Sequence, residues 1–145
     1  MEDIKDEIIQ YLSKRKFITL ATANKKGEPL SHTVAYVNKG PDVYFSTNKQ
    51  SRKIKNLSKN PKIAYSLYDP VEHLDEIKSL QVAGRATLIS DKKVAEDVLN
   101  QLKIKFPYMA DIPIDSDNII VKITPKTCYY SDYVRRFGYR EKVEF

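Results

Sequence analysis

Hydrophobic positions change their period several times along this chain, and each change marks an element. Ile4, Ile8 and Leu12 recur every four residues with Ile9 beside them, which predicts the apolar face of a short helix. Acids open this stretch and Lys14-Arg15-Lys16 close it, an order that suits the helix dipole. Residues 17–22 are β-branched and apolar and read as a strand. A turn at 24–27, a strand at 30–37, a turn at 38–42 and a strand at 43–47 follow. Three strands joined by short turns predict an antiparallel meander. Residues 51–59 read as a short helix, with Ser51 as N-cap, Ile54 and Leu57 facing inward and Pro61 beyond its end.

The second half continues in the same manner. Residues 62–68 form a fourth predicted strand and 69–77 an acidic connection. Residues 80–90 make a long strand interrupted by Gly84, where a bulge or a barrel corner is expected. Val94, Val98, Leu99 and Leu102 mark another helix, opened by Ser90 or Asp91 and ended by Pro107. A loop over 111–118 contains Pro113, and 118–124 and 127–133 read as two late strands. Antiparallel strands with few helices predict a mainly β chain that forms a small closed barrel rather than a doubly wound sheet. With 145 residues, no linker and no internal repeat, a single domain over 1–145 is expected.

Composition narrows the partners. Net charge is +6, which favours anionic ligands without choosing among them. The single cysteine, Cys128, excludes an internal disulfide and suits a reducing cytoplasm; it is expected to be a small buried filler. The acidic, amphipathic N-terminus does not read as a signal peptide, and no apolar run approaches the length of a membrane span. His32 and His73 lie far apart without cysteine or acid at ligand spacing, so no metal site is expected. No Ser/His/Asp arrangement and no Gly-rich dinucleotide fingerprint is present.

Candidate chemistry concentrates in Ser46-Thr47-Asn48-Lys49-Gln50-Ser51-Arg52-Lys53. A strand ends in two hydroxyl residues, a short loop follows, and a helix opens with Ser51, Arg52 and Lys53. Unpaired N–H groups and the positive dipole end at a helix start attract anions. Arg52 adds a planar fork and Lys53 a point charge, so the segment suits one phosphate monoester. On its residues alone it equally fits an ordinary capped helix with solvated bases.

Residues 43–48 with Ser51-Arg52-Lys53 resemble the phosphate-binding segment of the pyridoxamine 5′-phosphate oxidase family, and they follow Gly27-Glu28-Pro29-Leu30-Ser31-His32-Thr33-Val34 at that family's spacing. Asn60-Pro61-Lys62-Ile63-Ala64 is similar to its next strand entry, and Leu80-Gln81-Val82-Ala83-Gly84-Arg85-Ala86 to its long central strand. The C-terminal stretch, with Tyr129-Tyr130-Ser131-Asp132-Tyr133 and Phe137-Gly138, resembles the smaller members called general stress proteins. The resemblance implies an FMN-binding split β-barrel with flanking helices, a homodimer with FMN at the subunit interface, and a small-molecule redox substrate. It assigns Ser46, Thr47, Ser51, Arg52 and Lys53 to the FMN phosphate, places His32, Thr33 and Val34 along the flavin ring, and gives a flavin contact to Gln81 or, in another register, Ser79. The same fold also admits a deazaflavin or haem.

Two features set this chain apart from the oxidases proper. Val37 stands where the resemblance places a substrate-binding lysine, and the chain has no tryptophan. Its tail instead carries Arg135, Arg136 and Arg140 among Tyr129, Tyr130, Tyr133 and Tyr139, read either as an aromatic and basic lip or as packing. Efficient oxidation of pyridoxamine phosphate is therefore not expected. A nucleic-acid-binding barrel is the reading from another class, but the charge is dispersed and no strand carries a dense basic and aromatic pattern.

Overall fold

The computed structural model describes residues 3–111 and 117–145. Met1, Glu2 and residues 112–116 of the expected Pro113 loop lie outside the described residues. Helix α1 (Ile4–Ser13) is N-capped by Asp3, whose carboxylate accepts from the Asp6 N–H at 3.0 Å, and it buries Ile8, Tyr11 and Leu12. Strands β1 (Phe17–Ala23) and β2 (Pro29–Ala35) form a hairpin turned at Gly27, whose φ of 83° needs a residue without Cβ. Strands β3 (Val37–Lys39) and β4 (Asp42–Asn48) form a second hairpin. Then come α2 (Arg52–Leu57), β5 (Lys62–Tyr68), β6 (Lys78–Ile89), α3 (Lys92–Lys105), β7 (Asn118–Asp132) and β8 (Arg140–Glu144). Among the described residues no helix is long and apolar enough to cross a membrane.

The strand order is β2-β1-β5-β6-β7-β4-β3, with β8 also on β7, and every pair is antiparallel. This is a split β-barrel with three helices, as expected. The expected meander is not formed: the stretch read as one strand over 30–37 breaks at Tyr36, and β4 pairs with β7 instead of β2. Tyr36 explains the break. Its ring is fully buried, its N–H donates to Lys16 O at 3.2 Å and its hydroxyl to Leu12 O, so the chain is fixed to the end of α1 while crossing the barrel.

The two late strands are one, bent at a bulge. Between Ala83 and Gly84 the register with β7 shifts, so that Gly84 faces Pro125 while Ala83 faces Thr127. Pro125 fits the irregular position, where a missing N–H costs little. Gly84 is required, because a Cβ there would stand 2.2 Å from Thr124 O. Strand β8 was not anticipated; its pattern is charged and only Val143 is buried. The main core fills the barrel with Leu20, Phe45, Leu80, Ile123 and Tyr130 among others. A second cluster, with Val37, Tyr44, Val98, Leu102, Phe106 and Ile120, seats α3 against the sheet. Cys128 is buried, as expected, and burial pushes its thiol up to about 12.

Candidate functional site

Helix α2 is set by a tight turn after β4. Asn48 accepts from Gln50 N at 2.8 Å through its side chain and from Ser51 N at 3.1 Å through its carbonyl. Ser51 then caps the helix, its hydroxyl accepting from Ile54 N at 3.4 Å. Ile54 and Leu57 anchor the buried side, and Asn56 donates to the buried hydroxyl of Thr22 at 3.1 Å. These contacts hold α2 against the inward face of β1. His32 lies on that face, because it pairs with the fully buried Leu20 and paired residues share a side.

The result is a cluster of three basic side chains. His32 is held below its ordinary range, first by burial and then by Lys53 and Arg52. Lys53 is lowered by burial and by Arg52. Among the described residues no carboxylate forms an ion pair with Arg52 or Lys53. The Nε2 atom of His32 is buried without a hydrogen-bond partner. Thr47 donates to the Ser51 hydroxyl at 3.4 Å, which places a second hydroxyl at the helix start. An anion carrying several acceptor oxygens would relieve the mutual repulsion and satisfy the orphaned imidazole nitrogen.

Not every expected site residue joins this cluster. Ser46 faces the other side of β4 from Thr47 and lines a separate depression with Lys49, Ala95 and Leu99. Val34 points inward against the main core. Thr33 points outward, its hydroxyl 3.4 Å from that of Thr19. Gln81 is on the same outer face, in the continuous row Thr33, Thr19, Ser66, Gln81, Tyr129 across five strands. The next row is Ser31, Ala21, Ala64, Ala83, Thr127. As far as β7 both rows are uncharged, and on β8 they continue into Lys142 and Glu144; Gln81 and Ser79 share a depression of about 280 Å³ on this face. Sequence reasoning missed the partner of Gln81. Arg140 on β8 donates to Gln81 Oε1 at 3.1 Å, and its guanidinium lies 4.4 Å from the Tyr129 ring centre. Nothing local to residue 140 signals this, because the contact spans 59 positions.

The fold and this basic cluster define a class: an antiparallel split barrel with a cluster of basic side chains at the start of a capped helix. Residues 4–132 match the family described as pyridoxamine 5′-phosphate oxidase, and the chain belongs to that family. It is 25% identical over 125 residues to general stress protein 26 of Bacillus subtilis, covering 86% of each chain. It is 29% identical over 132 residues to pyridoxine/pyridoxamine 5′-phosphate oxidase of Crocosphaera subtropica, covering 72% of this chain and 61% of that one. HutZ, a haem storage protein of Vibrio cholerae, shares the fold with a TM-score of 0.73 at 18% identity, over 86% of this chain and 92% of that one.

Proposed function

We propose that this protein binds FMN, with the phosphate against Arg52, Lys53 and His32, and serves as a flavin-dependent oxidoreductase on a small substrate. The observation that carries the reading is the buried, unpartnered Nε2 of His32 beside two cations that have no carboxylate partner among the described residues. That donor set fits a phosphate monoester: a planar fork, a point charge, an imidazole and the hydroxyls of Thr47 and Ser51. When bound, FMN supplies the hydride-transfer chemistry, so the chain needs no catalytic acid or base of its own. What the residues contribute is binding and orientation. Gln81 and Thr33 offer polar contacts on the outer face, whereas the phosphate cluster is on the inward face. A homodimer with the ring at its interface accommodates this division, and the stretch of the outer rows from β2 to β7, which carries no charge, suits coverage by a second subunit.

Pyridoxamine phosphate is not the substrate in this reading. A substrate with its own phosphate needs a second cationic pocket beside the flavin. Val37, which stands where the oxidases' lysine is expected, is buried among Tyr44, Val98 and Ile120. The test of FMN binding is a titration of Arg52→Ala with FMN and with riboflavin. A hydrogen bond to a charged group contributes about 1.5–3 kcal/mol, so FMN affinity falls by about one to two orders of magnitude. Riboflavin, without a phosphate, changes far less. Equal losses for both ligands would remove the phosphate assignment. Steady-state turnover of pyridoxamine phosphate is expected to stay below roughly 1 per second.

A further inference from the structure

Arg140 opens β8 and reaches a residue two strands away. A chain reversal closes directly before it, with Asp132 N donating to Tyr139 O at 3.2 Å and Tyr139 N to Arg136 O at 2.9 Å. Its backbone pairs with Ser131 of β7. Val143 of β8 is buried, so Arg140, Lys142 and Glu144 alternate onto the outer face. From there the Arg140 side chain crosses the Tyr129 ring, 4.4 Å from its centre, and ends on Gln81 Oε1 at 3.1 Å. Tyr129 and Gln81 are paired across β7 and β6, so ring and amide hold one guanidinium at two points.

The chemistry of the two groups fixes which way the amide points. A guanidinium has donors only, so the Gln81 atom that faces it is the amide oxygen. The Nε2 N–H groups of Gln81 are thereby turned away from Arg140, and among the described residues they have no acceptor. Gln81 lines two depressions of the outer face, of about 370 and 280 Å³, so these N–H groups are available to a ligand there. The charge of Arg140 is uncompensated as well. Glu144 is taken by Lys142 at 3.3 Å and Thr127 at 3.0 Å, Glu141 accepts from the Tyr139 hydroxyl, and Asp132 lies 3.8 Å from Arg135. Asp69, which lines the smaller depression, is gripped by Arg15, and Lys78 beside it lies 5.9 Å from the Tyr11 ring centre. Among the described residues no carboxylate forms an ion pair with Arg140.

We propose that Arg140 is a positioning residue for Gln81, fixing its amide as a donor to the flavin and placing a positive charge behind it. The proposal rests on the FMN reading above, with Gln81 as a contact of the ring. An amide free to flip can offer either its oxygen or its N–H groups. With its oxygen taken, Gln81 meets acceptor atoms of the ring and not its N–H. A reduced flavin carries more electron density on those acceptors than an oxidised one. A donor polarised by a cation behind it therefore holds the reduced form more tightly. Arg140 acts through Gln81 and raises the reduction potential of the bound flavin.

The test is a potentiometric titration of the FMN-loaded full chain, with circular dichroism to establish that each variant is folded. In Arg140→Ala the reduced form is expected to lose about tenfold in affinity relative to the oxidised form. This reads as a midpoint potential about 30 mV more negative. Gln81→Glu, which replaces the N–H donors by an acceptor, shifts the potential in the same direction at least as far. Arg140→Lys, which keeps a charged donor, recovers part of the shift. In a Gln81→Ala background Arg140→Ala has little further effect, because the group it acts through is gone. An unchanged potential in Arg140→Ala overturns the proposal. So does an equal shift with and without Gln81, which would mean that the charge acts alone. A wild-type chain that binds no FMN would overturn the flavin reading, and this proposal with it.

Discussion

The two helical ends of the barrel carry the same kinds of basic residue in opposite circumstances. At the α1 end every arginine named here has acids around it. Arg15 grips Asp69 with two hydrogen bonds, of 2.8 and 2.6 Å, and stacks 3.8 Å from the Tyr11 ring centre. Arg135 meets Glu7, Asp132 and the Tyr139 hydroxyl. These contacts fasten α1 to the acidic connection and to the last turn before β8. At the α2 end Arg52 and Lys53 face a half-buried histidine, with no carboxylate paired to either among the described residues. Charge satisfied within the chain holds structure. Charge held together without a counterion destabilises the apo-protein and is available to a ligand.

The sharpest way to break this contrast is to delete both cations of α2. Arg52→Ala/Lys53→Ala is expected to weaken FMN binding by about two orders of magnitude or more, from two charged hydrogen bonds at about 1.5–3 kcal/mol each. The thermal midpoint of the apo-protein should hold or rise, because only mutual repulsion is lost. A fall in apo stability would show that the cluster is structural. The converse variant, Arg15→Ala, is expected to cost about 1–2 kcal/mol of stability in urea unfolding, since it leaves the half-buried Asp69 without its main partner. FMN affinity should not change.

Smaller effects separate the two ends by pH. The Arg15 guanidinium holds the Asp69 carboxyl below its ordinary value of 3.8. Its contribution is fully present above that value and is lost as pH falls through the lowered one, so wild type and Asp69→Asn should converge in stability at strongly acidic pH. His32 is the smallest case and works in another range. Burial and the neighbouring cations lower it from 6.5, so below pH 6.5 the unfolded chain takes up the proton more readily than the folded one. Apo stability therefore declines slightly on acidification from pH 7.5 to 5.5, and His32→Gln should flatten that decline. An unchanged slope in the variant would place His32 away from the α2 cations.

Much of this was legible in the residues. Strand and helix periods located β1, β2, β4, β5, β6 and all three helices, because alternation and the four-residue repeat are imposed locally by which side faces the core. The Ser51 cap, the kink at Gly84 and the basic start of α2 were readable for the same reason. Pairing was not. Nothing near residue 43 says that β4 will lie beside β7, some 75 residues later, because strand partners are chosen by how the whole sheet closes.

The sequence by itself determined the elements, the family and the clustering of Ser51, Arg52 and Lys53, since all three depend on neighbours in the chain. Only the tertiary structure decided which of the candidate residues meet. It put His32 under α2 and left its Nε2 unpartnered, and it turned Ser46 away from Thr47 because adjacent strand residues face opposite sides. It also joined Arg140 to Gln81. Those are properties of distance between remote segments, and they exist only once burial of the core has fixed the register of every strand.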